Sequence, residues 1–141
     1  MGECNKLWRR IVYFCRLYYS IMEQKDINIQ TAWSKARIVE GFDKDHFRQD
    51  ACGAWIQKSE YGNHESQYGW DIDHVLPRLL GGGDEEINLR PMQWQNKLSK
   101  ADDFPYYYSA VVANERSNEE KKVQFQVNDD LYEQLKRKYN I

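Results

Sequence analysis

The chain has 141 residues, which is the size of one globular domain and too short for a multidomain enzyme. Hydrophobic residues make up 41% and charged residues 30% of the composition, and both values argue against a disordered chain. The 20 basic and 22 acidic side chains give a formal net charge of -2, so any contact with a polyanion has to come from a local basic patch.

The cysteines and the N-terminal apolar stretch bear on location. Cys4, Cys15 and Cys52 form no Cys-x-x-Cys pair, which argues against a disulfide framework or a zinc ribbon. A reducing, cytoplasmic location is therefore expected. Residues 11–21 are apolar but too short to span a bilayer, they contain Arg16, and no small-residue cleavage site follows. The sequence thus predicts neither a membrane partner nor export.

The N-terminal part divides at a change in composition. Residues 1–24 are interpreted as an extension of unclear role, because Met22 opens a more ordinary polar stretch, and residues 25–141 are expected to form the domain. A first helix is predicted over residues 31–40, where good helix formers end at Gly41, a typical C-cap.

The middle of the chain predicts strands around a flexible loop. Residues 51–62 read as a short strand that ends in a turn, and residues 69–76 as a second strand that Pro77 stops. The glycine-rich residues 78–86 predict a surface loop, and a short strand is predicted over residues 87–90.

A helix is predicted after this second strand. Pro91 suits a first helical turn, and Trp94, Leu98 and Ala101 recur at helical spacing, so they are expected to form its core face. The order strand, loop, strand, helix indicates an α+β fold.

The C-terminal part predicts a hairpin and a helix. Residues 106–115 and 121–127 flank a turn-like stretch, and the last helix is expected over residues 129–139, packing through Leu131 and Leu135. His64 lies in a predicted turn and is expected to be exposed.

The candidate catalytic and metal-binding side chains lie near the end of the strand predicted over residues 69–76. Asp73 offers a hard oxygen ligand for a divalent cation, and the imidazole of His74 can accept a proton from water near neutral pH. On an ideal strand these neighbours face opposite sides, so both serve one site only if the strand end twists or bulges.

The string GWDIDHVLPRLLGGGDEEINLRPMQWQNKLSKADDFP resembles the core of the HNH endonucleases, which are also called ββα-metal nucleases. The resemblance rests on four elements in order: Asp-His-x-x-Pro, a Gly-Gly loop, Asn-Leu-x-Pro and a terminal Lys-x-Asp. It covers residues 70–105 closely and extends more loosely to residues 51–62.

The resemblance implies a small single α+β domain with a ββα-metal core at about residues 69–103, flanking helices and a C-terminal hairpin plus helix. The implied activity is hydrolysis of DNA phosphodiester bonds with one divalent cation, Mg²⁺ first and Mn²⁺, Ni²⁺ or Zn²⁺ as alternatives, and with no organic cofactor. By resemblance, His74 is the general base, Asp73 a metal ligand, and Asn88 holds the loop and orients His74. The sequence does not indicate an oligomeric state.

The last metal ligand is where this chain departs from the family pattern. Relatives place His or Asn nine residues after the middle Asn, and here that position (88 + 9 = 97) is Lys97, with Asn96 one residue earlier. Three outcomes stay open: a local shift brings Asn96 in as the metal ligand, Lys97 supplies positive charge itself, or the site is degenerate. Asn96 is preferred, although the expected core face turns it away, and Gln93 is a further oxygen donor.

Basic residues surround the expected site. Arg90, Lys97 and Lys100, with Arg78 nearby, are predicted to contact phosphates, and the alternative is a mixed charged surface. The alternative function is a catalytically degenerate HNH-fold module that binds nucleic acid or regulates. A protein-interaction domain without a nucleic-acid substrate is a third hypothesis.

Overall fold

The computed structural model describes residues 2–141, with side chains described from residue 5 onward. Three helices and eight short strands form an α+β domain, which confirms the predicted class. The helices are α1 (Gly2–Ser34), α2 (Trp94–Lys100) and α3 (Asp129–Tyr139). The strands are β1 (Phe47–Gln49), β2 (Trp55–Gln57), β3 (Trp70–His74), β4 (Leu89–Gln93), β5 (Tyr106–Tyr108), β6 (Val111–Asn114), β7 (Ser117–Glu120) and β8 (Gln124–Gln126).

The strands form four antiparallel pairs: β1 with β2, β3 with β4, β5 with β8, and β6 with β7. The predicted C-terminal hairpin is therefore present as two nested pairs. The turn predicted over residues 116–120 is mostly strand β7, because Glu115 adopts a left-handed backbone (φ 54°) and the chain reverses there instead.

Of the helix predicted over residues 31–40, only residues 31–34 are helical, as the last turn of α1, which ends at Ser34. Beyond that point Arg37 exchanges backbone hydrogen bonds with Gln49 of β1, so pairing with a distant segment overrides local helix propensity. The domain boundary placed at residue 24 falls inside the continuous helix α1.

Two further strand boundaries differ from the prediction. The segment 41–50, interpreted as a connector, contains β1, and within residues 51–62 the extended part is β2 alone. Pro91 lies inside β4 rather than in a helix. Pro91 stands opposite Ile72 in the β3–β4 pair. Gln93, two residues later, directs its N–H away from β3 to Asp50. Backbone N–H groups at alternate positions of a strand point the same way, so the position of Pro91 requires no N–H donor to β3.

Two hydrophobic clusters lie on either side of the β3–β4 hairpin. One contains Trp33 from α1 with Ile56 and Trp70, and the other contains Met92 with Leu135 from α3. The hairpin is thus fixed by α1 on one side and by the C-terminal elements on the other.

The structure describes the side chains of two of the three cysteines. Cys15 and Cys52 are free thiols, exposed and buried respectively, whereas the side chain of Cys4 lies outside the described part. Among the described residues, no helix has both the length and the hydrophobicity needed to cross a membrane.

Candidate functional site

The site is built on the β3–β4 hairpin and the helix that follows it. β3 ends in Asp73 and His74, a loop of residues 75–88 returns the chain, and β4 runs directly into α2. The strands pair in continuous register, with Asp73 opposite Arg90. The order strand, loop, strand, helix is the one that the sequence predicts.

Asn88 holds the loop together. Its side chain is fully buried, its Oδ1 accepts the Leu76 N–H at 2.7 Å, and its Nδ2 donates to the carbonyls of Leu76 at 3.0 Å and Gly83 at 2.9 Å. A Cβ on Gly82 would lie 1.8 Å from the Leu76 carbonyl oxygen, so only glycine fits there. Asn88 therefore positions the backbone that follows His74 and contacts no reacting group directly.

His74 forms a hydrogen-bonded pair with an acid that the sequence analysis missed. Its Nε2 lies 2.7 Å from Asp84 Oδ1, and Arg78 contacts the same oxygen. The hydrogen bond from His74, and then that from Arg78, hold the pKa of Asp84 below its ordinary value although partial burial opposes this. The signal available in the sequence was an acid ten residues after His74, at the end of a glycine-rich loop.

This pairing defines what the imidazole can do. With a hydrogen on Nε2 donated to Asp84, the lone pair of His74 lies on Nδ1, which makes no hydrogen bond within the described part of the chain. The side chain is 20% exposed, so water can approach it. In this tautomer Nδ1 of His74 can accept a proton while the Asp84 carboxylate orients the ring.

Asp73 lies on the opposite side of β3 from His74. It is only 3% exposed, its Oδ2 accepts from Arg90 Nε at 2.8 Å, and its Oδ1 lies 3.4 Å from Lys100 Nζ. The register of β3 with β4 continues through both residues without a bulge, so the alternation of an ordinary strand separates them. The structure thus does not bring Asp73 and His74 to one site.

The predicted metal ligands do not fit a divalent cation as the chain is folded. Both oxygens of Asp73 already face buried cations, and the Oδ1 of Asn96 accepts the N–H groups of Ala110 at 2.7 Å and Val111 at 2.9 Å. Among the described residues, no three His, Cys, Asp or Glu side chains converge as a metal cluster. The assignment of Asn96 as a metal ligand is corrected, because its oxygen is fully used by the backbone.

The inward face of α2 also differs from the prediction. Leu98 is 68% exposed, whereas Asn96 and Lys100 are completely buried. Asn96 points inward because its Nδ2 donates to Asp50 Oδ2 at 3.1 Å, and a satisfied polar contact outweighs the apolar spacing that favoured Leu98.

Asp50 is a structural residue that the sequence analysis missed. Its buried carboxylate accepts the N–H groups of Cys52, Ala54 and Gln93, each at 2.9 Å, in addition to the Asn96 amide. Burial raises the pKa of Asp50, and these four hydrogen bonds oppose that rise. An acid three residues before Gly53 (φ 79°) is the turn pattern that marks this position.

Two of the three predicted phosphate contacts are corrected. Arg90 is 9% and Lys100 0% exposed, so neither reaches a nucleic-acid backbone at the surface. Lys100 instead donates to the His74 carbonyl at 3.1 Å, and burial lowers its pKa. Arg90 donates to Tyr107 and lies over its ring, and its Nη2 is buried without a partner in the described part of the protein. Lys97 is half-buried and stays a predicted phosphate contact.

A second histidine and acid meet at the other end of β3. His64 Nε2 lies 2.8 Å from Asp71 Oδ2, and the imidazole stacks on Trp94 with ring centroids 5.3 Å apart. The side chain of His64 is 52% exposed, as its predicted turn position suggested. This pair braces the start of β3 against α2.

Comparison with protein-family models, with curated proteins and with solved structures found no match to this chain.

Proposed function

We propose that this chain is a DNA endonuclease of the HNH type and that His74 is its general base. The observation that carries the proposal is the strand–loop–strand–helix unit, in which the Asp-His end of β3 is followed by a loop that Asn88 holds. The sequence resemblance rests on the same residues. A half-exposed acid, Asp84, orients the imidazole from the far end of that loop.

The described side chains support one proton-transfer step. The Nδ1 of His74 takes a proton from a water molecule as that water attacks the phosphorus of the scissile phosphodiester. The bond from phosphorus to one sugar oxygen breaks, and that leaving oxygen takes a proton from bulk water. Asp84 holds the Nε2–H and stabilises the imidazolium that forms. Arg78 has 64% of its side chain exposed beside Asp84 and is placed to contact a phosphate oxygen.

A divalent cation, Mg²⁺ first, stays part of the family expectation. The folded positions of Asp73 and Asn96 do not fit it, so no step is assigned to a metal. The cleavage assay below tests whether the reaction requires a metal ion.

The second candidate is a degenerate module of the same type that binds nucleic acid without cutting it. Two observations favour this candidate. Asp73 is neutralised by Arg90 and Lys100, and Lys97 stands where relatives carry the last ligand.

The test is cleavage of supercoiled plasmid DNA in Mg²⁺, Mn²⁺ or Ni²⁺ and with a chelator. We expect nicking by the wild type, and a loss of about 10²–10⁴-fold in rate for His74→Ala. The matched control is His46→Ala, because His46 is also a surface histidine paired with an acid, Asp43 at 2.7 Å, but lies outside the hairpin. DNA binding without nicking supports the second candidate, and the absence of both overturns the two proposals together.

A further inference from the structure

The N-terminal part of α1 projects from the domain with its apolar side chains in solvent. Every described residue from 5 to 27 is exposed, and the helix contacts the domain core through its C-terminal end, where Ala32 and Trp33 are buried. We call residues 5–22 the outer segment. Trp8 is 68%, Phe14 64% and Tyr19 72% exposed. A soluble monomer rarely leaves such a set of side chains uncovered.

Ten of the twelve apolar side chains of the outer segment share one half of the helix, and Tyr13 and Leu17 lie on the other half. At about 100° per residue, the ten fall within one continuous arc of about 180°. They are Leu7, Trp8, Ile11, Val12, Phe14, Cys15, Tyr18, Tyr19, Ile21 and Met22. Ile29, Ala32 and Trp33 continue the same arc, and there the domain covers it. The apolar arc of α1 is therefore covered by the domain at its C-terminal end and is uncovered along the outer segment.

The charged residues of the outer segment are all basic and lie on one side of the helix. Its basic residues lie on the half of the helix opposite the apolar arc, and it contains no acidic residue. They are Lys6, Arg9, Arg10 and Arg16. All 22 acidic residues of the chain, and the other 16 of its 20 basic ones, lie outside the segment. The outer segment is thus a cationic region on a chain that is otherwise acidic.

Charge decides between the surfaces that could cover this face. A second copy of the segment packed through the arc would leave the four cations of each helix facing water without a counter-charge. An apolar arc of half the helix is also wider than a coiled-coil seam. An anionic bilayer surface offers apolar chains to the arc and negative headgroups to the cations, and Trp and Tyr are the residues that favour its interface.

We propose that the outer segment of α1 is a peripheral anchor that lies flat on a bilayer with anionic headgroups. The segment does not cross the bilayer, in agreement with the absence of a spanning helix among the described residues. Its 18 residues extend about 27 Å along the surface. This membrane contact differs from the sequence-based expectation of no membrane partner, and it is independent of the proposed nuclease activity.

The test is co-sedimentation of the full chain with vesicles of phosphatidylcholine alone or mixed with phosphatidylglycerol. We expect binding to the anionic vesicles at least about tenfold stronger than to the neutral ones, and weakening as salt is raised. Equal binding to both vesicles, or binding to neither, overturns the proposal.

Two double variants separate the apolar arc from general hydrophobicity. Trp8→Ser with Phe14→Ser removes two side chains from the arc, and Tyr13→Ser with Leu17→Ser removes two from the basic side without changing the charge. We expect the first pair to lose about tenfold or more in vesicle affinity and the second pair to keep most of it. Equal losses overturn the proposal.

Two further measurements keep the result unambiguous. The thermal midpoint of both double variants is expected to match the wild type, since the four substituted side chains are exposed to solvent. Sedimentation velocity without vesicles is expected to show a monomer. A dimer that the Trp8→Ser, Phe14→Ser variant dissociates would assign the face to a second copy and overturn the proposal.

Discussion

The ammonium of Lys100 lies 3.4 Å from Oδ1 of Asp73, and both side chains are almost completely buried. Arg90 contacts the other oxygen at 2.8 Å, so a single carboxylate compensates two cations in a region that excludes water. A buried charge that loses its partner is costly, because neither water nor another ion replaces it. Asp73 therefore holds the hairpin and α2 together.

Asp73→Asn is expected to lower the free energy of unfolding by about 3–5 kcal/mol, since it leaves Arg90 and Lys100 buried without a counter-charge. Urea denaturation measures this. Asp71→Asn is the control, because Asp71 has the more exposed partner His64, and it is expected to cost less than about 1 kcal/mol. A stable Asp73→Asn protein that binds Mg²⁺ more weakly than the wild type would instead support a metal-ligand role for Asp73.

Lys100→Met is expected to change how stability depends on pH. Burial lowers the pKa of Lys100 below 10.5, so between the folded-state pKa and 10.5 the unfolded chain holds more protons than the folded one. The wild type should therefore gain stability relative to Lys100→Met as pH rises through this range. Paired urea denaturation at neutral and alkaline pH measures the difference, and a pH-independent difference contradicts the assignment.

Asn96→Ala is expected to destabilise the fold by about 2–4 kcal/mol, because the backbone N–H groups of Ala110 and Val111 lose their acceptor. Asn114→Ala serves as control. Its amide donates to Glu119 at an exposed position, and the expected change is within about 0.5 kcal/mol. Chemical denaturation distinguishes the two. An unchanged stability in Asn96→Ala, together with weaker metal binding, would restore Asn96 as a ligand.

The His74–Asp84 pair predicts a single imidazole tautomer. Nitrogen NMR of the neutral ring is expected to show the hydrogen on Nε2, and Asp84→Ala is expected to give a mixture of tautomers. A ring protonated on Nδ1 in the wild type contradicts the proposed role of His74 as base.

The same pair affects how stability depends on pH. The pKa of Asp84 is held below 3.8, so the contribution of Asp84 to stability is complete above pH 3.8 and is lost as pH falls through the folded-state pKa.

Local sequence signals correctly predicted the order of elements around the site. Pro77 ends the extended stretch at β3, the glycines at 81–83 allow the loop, and Asn88 closes it, because each of these effects arises from backbone geometry within a few residues. The same patterns failed for residues 35–40, where the backbone of Arg37 pairs with Gln49 of β1 and not with the next helical turn.

Partners far away in the sequence decide which side chains of α2 point into the protein. Asn96 turns inward because Asp50, 46 residues earlier, accepts its amide, and α2 then carries Lys100 to Asp73, 27 residues before it (100 - 73 = 27). The spacing of apolar residues along one helix cannot predict such contacts, because it reflects hydrophobicity and contains no information about where a buried hydrogen-bond acceptor lies. The sequence by itself determined the strand–loop–strand–helix order, and the tertiary structure alone decided that Asp73 and Asn96 are held by protein groups.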